Sequence, residues 1–248
     1  MAPGASGSEP TGVAFYDPRP GRWRDYITLL HPPYTLWHLS YVCIGWASAP
    51  RVVAARLLTL LAAFFLAVGV GAHALDELRG RPLRTSIPSR VLVATAVVSI
   101  AGAVAIGLLE AARTSWSLLW FVAFGGFIVV AYNLELFGGR FHSTVWFAVA
   151  WGAFPAVTAS WANTSSFSVA GLCVGVACFA LSLAQRALST PVRALRRRTL
   201  RVEGTIELED GSSRRIDAAY LRSAPETALK AMSAALPLLA LGLVILRL

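Results

Sequence analysis

Seven long apolar stretches alternate with short polar segments along the chain. They run over Tyr34–Ala49, Val52–Ala72, Val91–Leu109, Ser117–Leu136, Thr144–Ala159, Ser168–Leu183 and Ala231–Leu246. Most approach the roughly 20 residues that an α-helix needs to cross ~30 Å of hydrocarbon. The first and sixth stretches are shorter, so they are expected to tilt, to extend past these limits or to lie partly at the interface. The pattern predicts an all-α integral membrane protein, a multi-helix transmembrane bundle with about seven crossings.

The composition agrees with this fold class. Hydrophobic residues make up 56% of the chain and charged residues only 14%, and the mean hydropathy is +0.61. These values lie outside the balance that is typical of soluble domains. The sequence therefore favours a membrane protein over a soluble enzyme.

The distribution of positive charge predicts the orientation in the membrane. With the N-terminus in the cytoplasm, only Arg51, Arg56, Arg113 and Arg247, of 22 lysine and arginine residues, fall in outside segments. This asymmetry follows the positive-inside rule. We therefore expect a multi-pass protein of the cell membrane. The net charge of +9 then reflects topology and attraction to anionic membrane lipids, with no nucleic-acid partner expected. The oligomeric state is left open.

The apolar, basic and turn-forming segments divide the chain into four parts. They are a disordered cytoplasmic tail at residues 1–21, a membrane bundle of six helices at 22–184, a basic cytoplasmic loop with a hairpin at 185–229, and the last transmembrane helix at 230–248. The turn residues Asp210 and Gly211 predict a small β-hairpin within the loop. We expect the sixth helix to continue into the loop, with Pro191 kinking or restarting it. Pro225 is expected in the first turn of the last helix.

The segment Gly71–Ser89, GAHALDELRGRPLRTSIPS, is the main candidate for chemistry. His73, Asp76 and Glu77 stand at helical spacing at the end of an apolar stretch, so they are expected to point together into one site. Carboxylates beside arginines suit a phosphate-bearing lipid and its metal ion. The alternative is that the two acids only form exposed ion pairs with neighbouring arginines at a helix end.

Further polar residues are expected at the same membrane surface. Tyr132 and Asn133 end the fourth stretch, where they either face a shared cavity or anchor the helix at the headgroups. Two histidines of the first helix, His31 and His38, share one face and are interpreted as packing or interface residues. Trp151 is likewise expected to pack in the bundle.

Three segments together resemble the UbiA-type intramembrane prenyltransferases. They are LLHPPYTLWHLSYVCIGW, the Gly71–Ser89 segment, and AYNLELFGGRFHSTVWFAVAWGAFPAV, and the similarity runs over roughly Leu29 to Gln185. The more specific pieces are Arg81-Pro82-Leu83 and the Tyr132 segment. Both aspartate motifs of that superfamily are degenerate here. Asp76 remains of the first, and the second is replaced by a run that begins Gln185-Arg186 and contains no acid.

The resemblance implies a protein that binds an isoprenoid or polyprenyl (di)phosphate, as a prenyltransferase or a terpene cyclase. In that family Mg²⁺ holds the diphosphate, and Asp76 and Glu77 would hold any such ion here. The candidate substrate-binding residues are Arg81, Arg84, Asn133, Arg186 and Arg193. The implied catalytic residues are Asp76, His73 and Tyr132.

The replacement of acids by arginines leads to a specific hypothesis. Guanidinium groups bind phosphate oxygens directly and bidentately. We therefore expect this chain to hold the lipid phosphate mainly with arginines. The rival expectation is a non-catalytic lipid-binding, scaffold or transport component.

Overall fold

The computed structural model describes residues 22–248, which are mostly helical. The tail predicted at residues 1–21 lies outside this range. The helices are α1 (Arg22–Leu29), α2 (Pro32–Ala47), α3 (Ala54–Leu78), α4 (Ser89–Arg113), α5 (Trp116–Asn133), α6 (Thr144–Thr164), α7 (Val169–Arg197) and α8 (Ala218–Arg247). A hairpin of β1 (Gly204–Glu207) and β2 (Ser213–Ile216) stands between α7 and α8.

Six helices of the described range, α3 to α8, are long and apolar enough to cross a membrane. Six of the about seven expected crossings therefore meet this criterion, and α2, with only 16 residues, does not. Its apolar run ends at Ser48-Ala49-Pro50, and the residue before a proline is disfavoured in the helical region. At 16 residues the helix is shorter than the ~20 residues that usually cross the hydrocarbon of a membrane.

Helix α2 nevertheless lies inside the bundle. Its side chains Trp37, Tyr41, Val42 and Trp46 are fully buried. The helix approaches α6 closely at Gly45, where an added Cβ would lie 2.1 Å from the carbonyl oxygen of Ala156. Small residues permit such close crossings between apolar helices. Helix α2 is therefore a central packing element despite its length.

Two of the long helices contain π-helical segments, Phe65–Ala72 in α3 and Ala148–Ala153 in α6. Such segments are rare and occur frequently at functional sites. In each, a carbonyl oxygen receives a histidine hydrogen bond: His73 Nδ1 lies 3.0 Å from Gly69 O, and His38 Nδ1 lies 2.9 Å from Trp151 O. The irregular segments therefore fix the positions of two imidazole rings.

The sixth apolar stretch belongs to the 29-residue helix α7, which continues through Pro191 to Arg197. The predicted basic extension of this helix is confirmed, and it runs on without a restart. The hydroxyl of Ser168 caps the helix by accepting from Gly171 N. The extension carries its arginines one to four turns beyond the apolar part of the helix.

The predicted hairpin is confirmed. Strands β1 and β2 pair antiparallel, with Gly204 opposite Ile216, and Gly211 in the turn has φ +79°. The last helix begins earlier than the first turn that was predicted at Pro225. Helix α8 begins at Ala218, because the Asp217 carboxylate accepts from Tyr220 N at 2.7 Å and caps it there. Pro225 consequently lies within the helix.

Candidate functional site

A cavity of about 380 Å³ opens at the end of the bundle where α2 and α6 begin and where α3, α5 and α7 end. We call it the polar cavity. Its volume falls within the range of ~300–1,000 Å³ that is usual for ligand pockets. Five helix ends contribute to its walls, so residues far apart in sequence meet there.

Six of the predicted site residues line the polar cavity: His73, Asp76, Tyr132, Asn133, Arg186 and Arg193. They come from α3, α5 and α7. Tyr132 and Asn133 are buried, and the Asn133 amide donates to Val129 O of its own helix at 2.7 Å. The structure therefore brings the acid, the tyrosine and two arginines to one site.

Glu77 does not face this cavity. Its carboxylate is fully buried and accepts three hydrogen bonds of 2.9 Å, from Leu83 N, Thr85 N and Thr85 Oγ1. Successive helical residues lie about 100° apart around the axis, so Glu77 cannot share the direction of Asp76. Its carboxylate instead holds the loop that follows α3.

Arg81 and Arg84 also lie outside the cavity lining. Arg81 donates to the carbonyl of Ile87 and, at 2.8 Å, to the hydroxyl of Ser89. Both arginines have positive φ values, +53° and +57°, and the side chain of Arg84 is exposed. The loop thus uses Arg81 to fix its own fold.

The cationic wall of the cavity is formed by α7. Arg186, Arg193 and Arg197 follow one another at spacings of seven and four residues, which places them on one helix face. The guanidinium carbon of Arg186 lies 5.2 Å from the ring centroid of Phe147, in a cation–π contact. Asp76 is the one carboxylate among the described lining residues. The site is therefore strongly positive.

Asp76 stands opposite this wall. Within residues 22–248 its carboxylate forms no hydrogen bond and no salt bridge shorter than 4.0 Å. The charges that act on it belong mainly to Arg193, His142 and Arg197. Because Asp76 forms no ion pair with these groups, its carboxylate remains available to a ligand.

Three buried polar atoms at the cavity lack a hydrogen-bond partner in the described part of the chain. They are Tyr132 Oη, Gln185 Oε1 and Arg186 Nε. Leaving a buried polar atom unpaired costs about 1–3 kcal/mol, so native proteins rarely do so. Their clustering at one cavity indicates that it receives a hydrogen-bonding ligand or water.

All four histidines of the chain line the same cavity: His31, His38, His73 and His142. His142 Nδ1 lies 3.1 Å from Tyr132 O, and the rings of His31 and His73 are 4.6 Å apart. A carbonyl oxygen only accepts, so each Nδ1 that contacts one carries the proton. In the neutral rings of His38, His73 and His142, Nε2 is then the acceptor.

His31 precedes α2 and has the left-handed φ of 45°. Desolvation of its ring, together with the charges of His73, Arg197 and Arg193, lowers the pKa of His31 well below its ordinary value. This residue is therefore neutral at physiological pH. Sequence reasoning assigned His31 and His38 to packing and did not single out His142. One feature of the sequence could have indicated their place at the cavity. The chain has only four histidines, and each lies near a predicted helix end or near a predicted site segment.

A buried ion pair braces the site. Arg196, at the end of α7, binds Glu226 of α8 bidentately, with distances of 2.6 and 2.9 Å. Both side chains are nearly buried, with 11% and 13% of their surface exposed. The bidentate geometry fixes the end of α7, and with it the arginine wall, against α8.

The donor set does not fit a Mg²⁺ cluster. Magnesium prefers several oxygen ligands in octahedral geometry, usually with at least one or two carboxylates. Asp76 is the one available acid of the lining, and Glu77 is taken up by the loop. Within the described range no three His, Cys, Asp or Glu side chains are grouped closely enough to hold a metal ion.

Comparisons of the chain with protein-family models, with curated proteins and with solved structures find no match. The functional argument therefore depends on the geometry of the site.

Proposed function

We propose that this chain is a multi-pass membrane protein that binds the phosphate or diphosphate head of an isoprenoid lipid in the polar cavity. The observation that supports this most strongly is the arginine wall of α7 facing an otherwise apolar bundle, with unpaired polar atoms around it. A ligand with an anionic head and a hydrocarbon tail matches this environment, because the head would contact the arginines and the tail would contact the apolar bundle.

The arginines act as the phosphate clamp in this proposal. Arg186 and Arg193 lie one above the other on the cavity face of α7, and Arg197 lies one turn beyond. Guanidinium groups bind phosphate oxygens in pairs, with charge-assisted hydrogen bonds about twice as strong as neutral ones. The unpaired Nε of Arg186 would gain a partner on binding.

The reaction class that suits this site is ionisation of an allylic diphosphate. The bond between C1 and the bridging oxygen breaks, and both electrons leave with the diphosphate. The arginines stabilise the leaving anion, while Tyr132 and Trp151, which line the cavity, stabilise the allylic cation. A prenyl acceptor then attacks C1, or an internal double bond closes a ring. The proton that is released passes to His73 or Asp76.

The membrane arrangement belongs to the same proposal. Helices α3 to α8 each cross the bilayer, and the buried helix α2 completes a bundle with seven passes. The basic end that holds the polar cavity faces the cytoplasm, as does the N-terminus, in agreement with the positive-inside rule. In this proposal the protein lies in the cell membrane and is a divergent relative of the UbiA-type prenyltransferases.

One observation favours a non-catalytic alternative. A single available carboxylate, Asp76, lines the cavity, so the metal-assisted ionisation implied by the family resemblance lacks its ligands. A lipid-binding or transport protein needs only the arginine clamp. This alternative predicts tight binding without turnover.

The two functions separate in one experiment. The purified protein is incubated with geranyl, farnesyl and geranylgeranyl diphosphate, and pyrophosphate release is measured for the wild type and for Asp76→Ala. Release by the wild type that is abolished in Asp76→Ala supports the enzyme. Binding of these lipids without release supports the carrier, and no binding of any of them rejects the isoprenoid ligand.

A further inference from the structure

A second hollow lies between α3, α4, α5 and α6 and has a volume of about 100 Å³. We call it the apolar slot. Ile100, Val104, Val122 and Phe154 are among the side chains that form its walls. An engineered apolar cavity of ~150 Å³ admits benzene, so the smaller slot has room for a short length of hydrocarbon chain.

Three polar side chains interrupt this lining: Thr59, Glu110 and Thr158. Thr59 stands near the start of α3 and Glu110 near the end of α4. These helix ends lie opposite the end that holds the polar cavity. The apolar slot therefore has a polar floor that is separate from the phosphate site.

Thr158 lacks the partner that a buried hydroxyl requires. The residue is 5% exposed, and its Oγ1 has no hydrogen-bond partner among the described residues. A buried hydroxyl without a partner is unfavourable in an apolar environment. Within the slot, a valine would have filled the same volume without this cost.

Glu110 lines the same slot and retains acceptor capacity. Its nearest cations are Arg113 Nη1 at 3.4 Å and Arg56 Nε at 3.8 Å. Arg56 directs its Nη1 elsewhere, to the carbonyl oxygen of Ala162 at 2.6 Å. The Glu110 side chain is only 12% exposed. A nearly buried carboxylate that is incompletely paired therefore lines this end of the slot.

We propose that the apolar slot binds a neutral lipid alcohol. The carbons next to the hydroxyl lie in the slot, and the hydroxyl lies at the floor. There, Thr158 donates to the alcohol oxygen and the alcohol donates to the Glu110 carboxylate. A hydroxyl group is required because it accepts one hydrogen bond and donates the other. An ether lacks the donor, and a hydrocarbon lacks both functions.

The test uses a photoreactive alkyl alcohol with a diazirine in its chain and the full-length protein in nanodiscs. Cross-linked residues are located by mass spectrometry, and decanol and decyl methyl ether are compared as competitors. Labelling is expected on slot residues such as Val104 and Val122, with decanol competing at least tenfold better than the ether. Equal competition by the two compounds, or labelling elsewhere on the protein, overturns the proposal.

Variants of one helix give the matched control. Thr158→Val preserves the shape of the side chain and is expected to weaken decanol competition about tenfold, the effect of losing one hydrogen bond. Thr158→Ser is expected to restore it. Thr164→Val, at the end of the same helix outside the slot, is expected to leave it unchanged. Unaltered competition in Thr158→Val refutes the assignment, whatever the outcome at the phosphate site.

Discussion

His31 combines a left-handed backbone with a desolvated ring beside two arginines, and this makes stability depend on pH. Because its pKa is lowered in the folded state, the unfolded chain takes up the proton first as the pH falls below about 6.5. The free energy of unfolding of the wild type should then fall relative to that of His31→Asn, which tolerates the same backbone. Chemical unfolding in mixed micelles between pH 8 and pH 5 measures the difference. If the free energies of unfolding of the wild type and His31→Asn changed equally with pH, the lowered pKa of His31 would be contradicted.

Glu77 is the second residue with a strong individual prediction. Glu77→Gln replaces one acceptor oxygen by an N–H₂ group, so one of the backbone N–H groups of Leu83 and Thr85 loses its partner. We expect a loss of about 1–3 kcal/mol in the free energy of unfolding. Glu207→Gln, on the exposed hairpin, is the control and should show no change.

The outcome for Glu77→Gln also decides between two roles. A loss of stability with unchanged lipid binding supports its role in the loop. Unchanged stability combined with the loss of a magnesium-dependent activity would return Glu77 to the metal site that the sequence predicted.

At the scale of elements, the contact between α2 and α6 tolerates no side chain at Gly45. Gly45→Ala places a methyl group 2.1 Å from the carbonyl oxygen of Ala156, so the helices must separate. We expect a lower melting temperature and weaker lipid binding, since both helices begin at the polar cavity. Gly242→Ala is the matched control in α8, where an added Cβ meets nothing within 4 Å and helix propensity improves. Equal melting temperatures for the two variants would exclude the close crossing.

The sequence predicted the helices and the hairpin better than it predicted which way individual side chains point. Apolar length predicted α3 to α8, and Asp210-Gly211 predicted the hairpin, because both signals are local. The orientation of Glu77 was missed since adjacent helical residues diverge, and the start of α8 was missed because the cap at Asp217 precedes the apolar run.

Trp151 and His38 were assigned to packing, and their place at the cavity depends on a π-helical segment that no local pattern revealed. Arg81 was predicted to bind substrate, but its guanidinium group is engaged by Ile87 and Ser89 of its own loop.

For the whole molecule, the proposed crossing of α7 puts the hairpin and the loop before α7 on opposite sides of the membrane. In a variant without the native cysteines, Ser166→Cys should react with a membrane-impermeant maleimide in intact cells. Ser212→Cys should react only after permeabilisation. Reaction of both cysteines from outside would contradict a crossing by α7, and the reverse pattern would contradict the proposed orientation.

The central claim is that arginines of α7, without a metal ion, hold the phosphate of an isoprenoid lipid. The most direct test is the equilibrium affinity for farnesyl diphosphate, measured in magnesium and in EDTA, for the wild type, Arg193→Met and the control Arg201→Met, whose arginine lies beyond the cavity. We expect equal wild-type affinity under both conditions, at least a tenfold loss in Arg193→Met, and none in Arg201→Met. Loss of wild-type binding in EDTA, or full affinity in Arg193→Met, would contradict the claim.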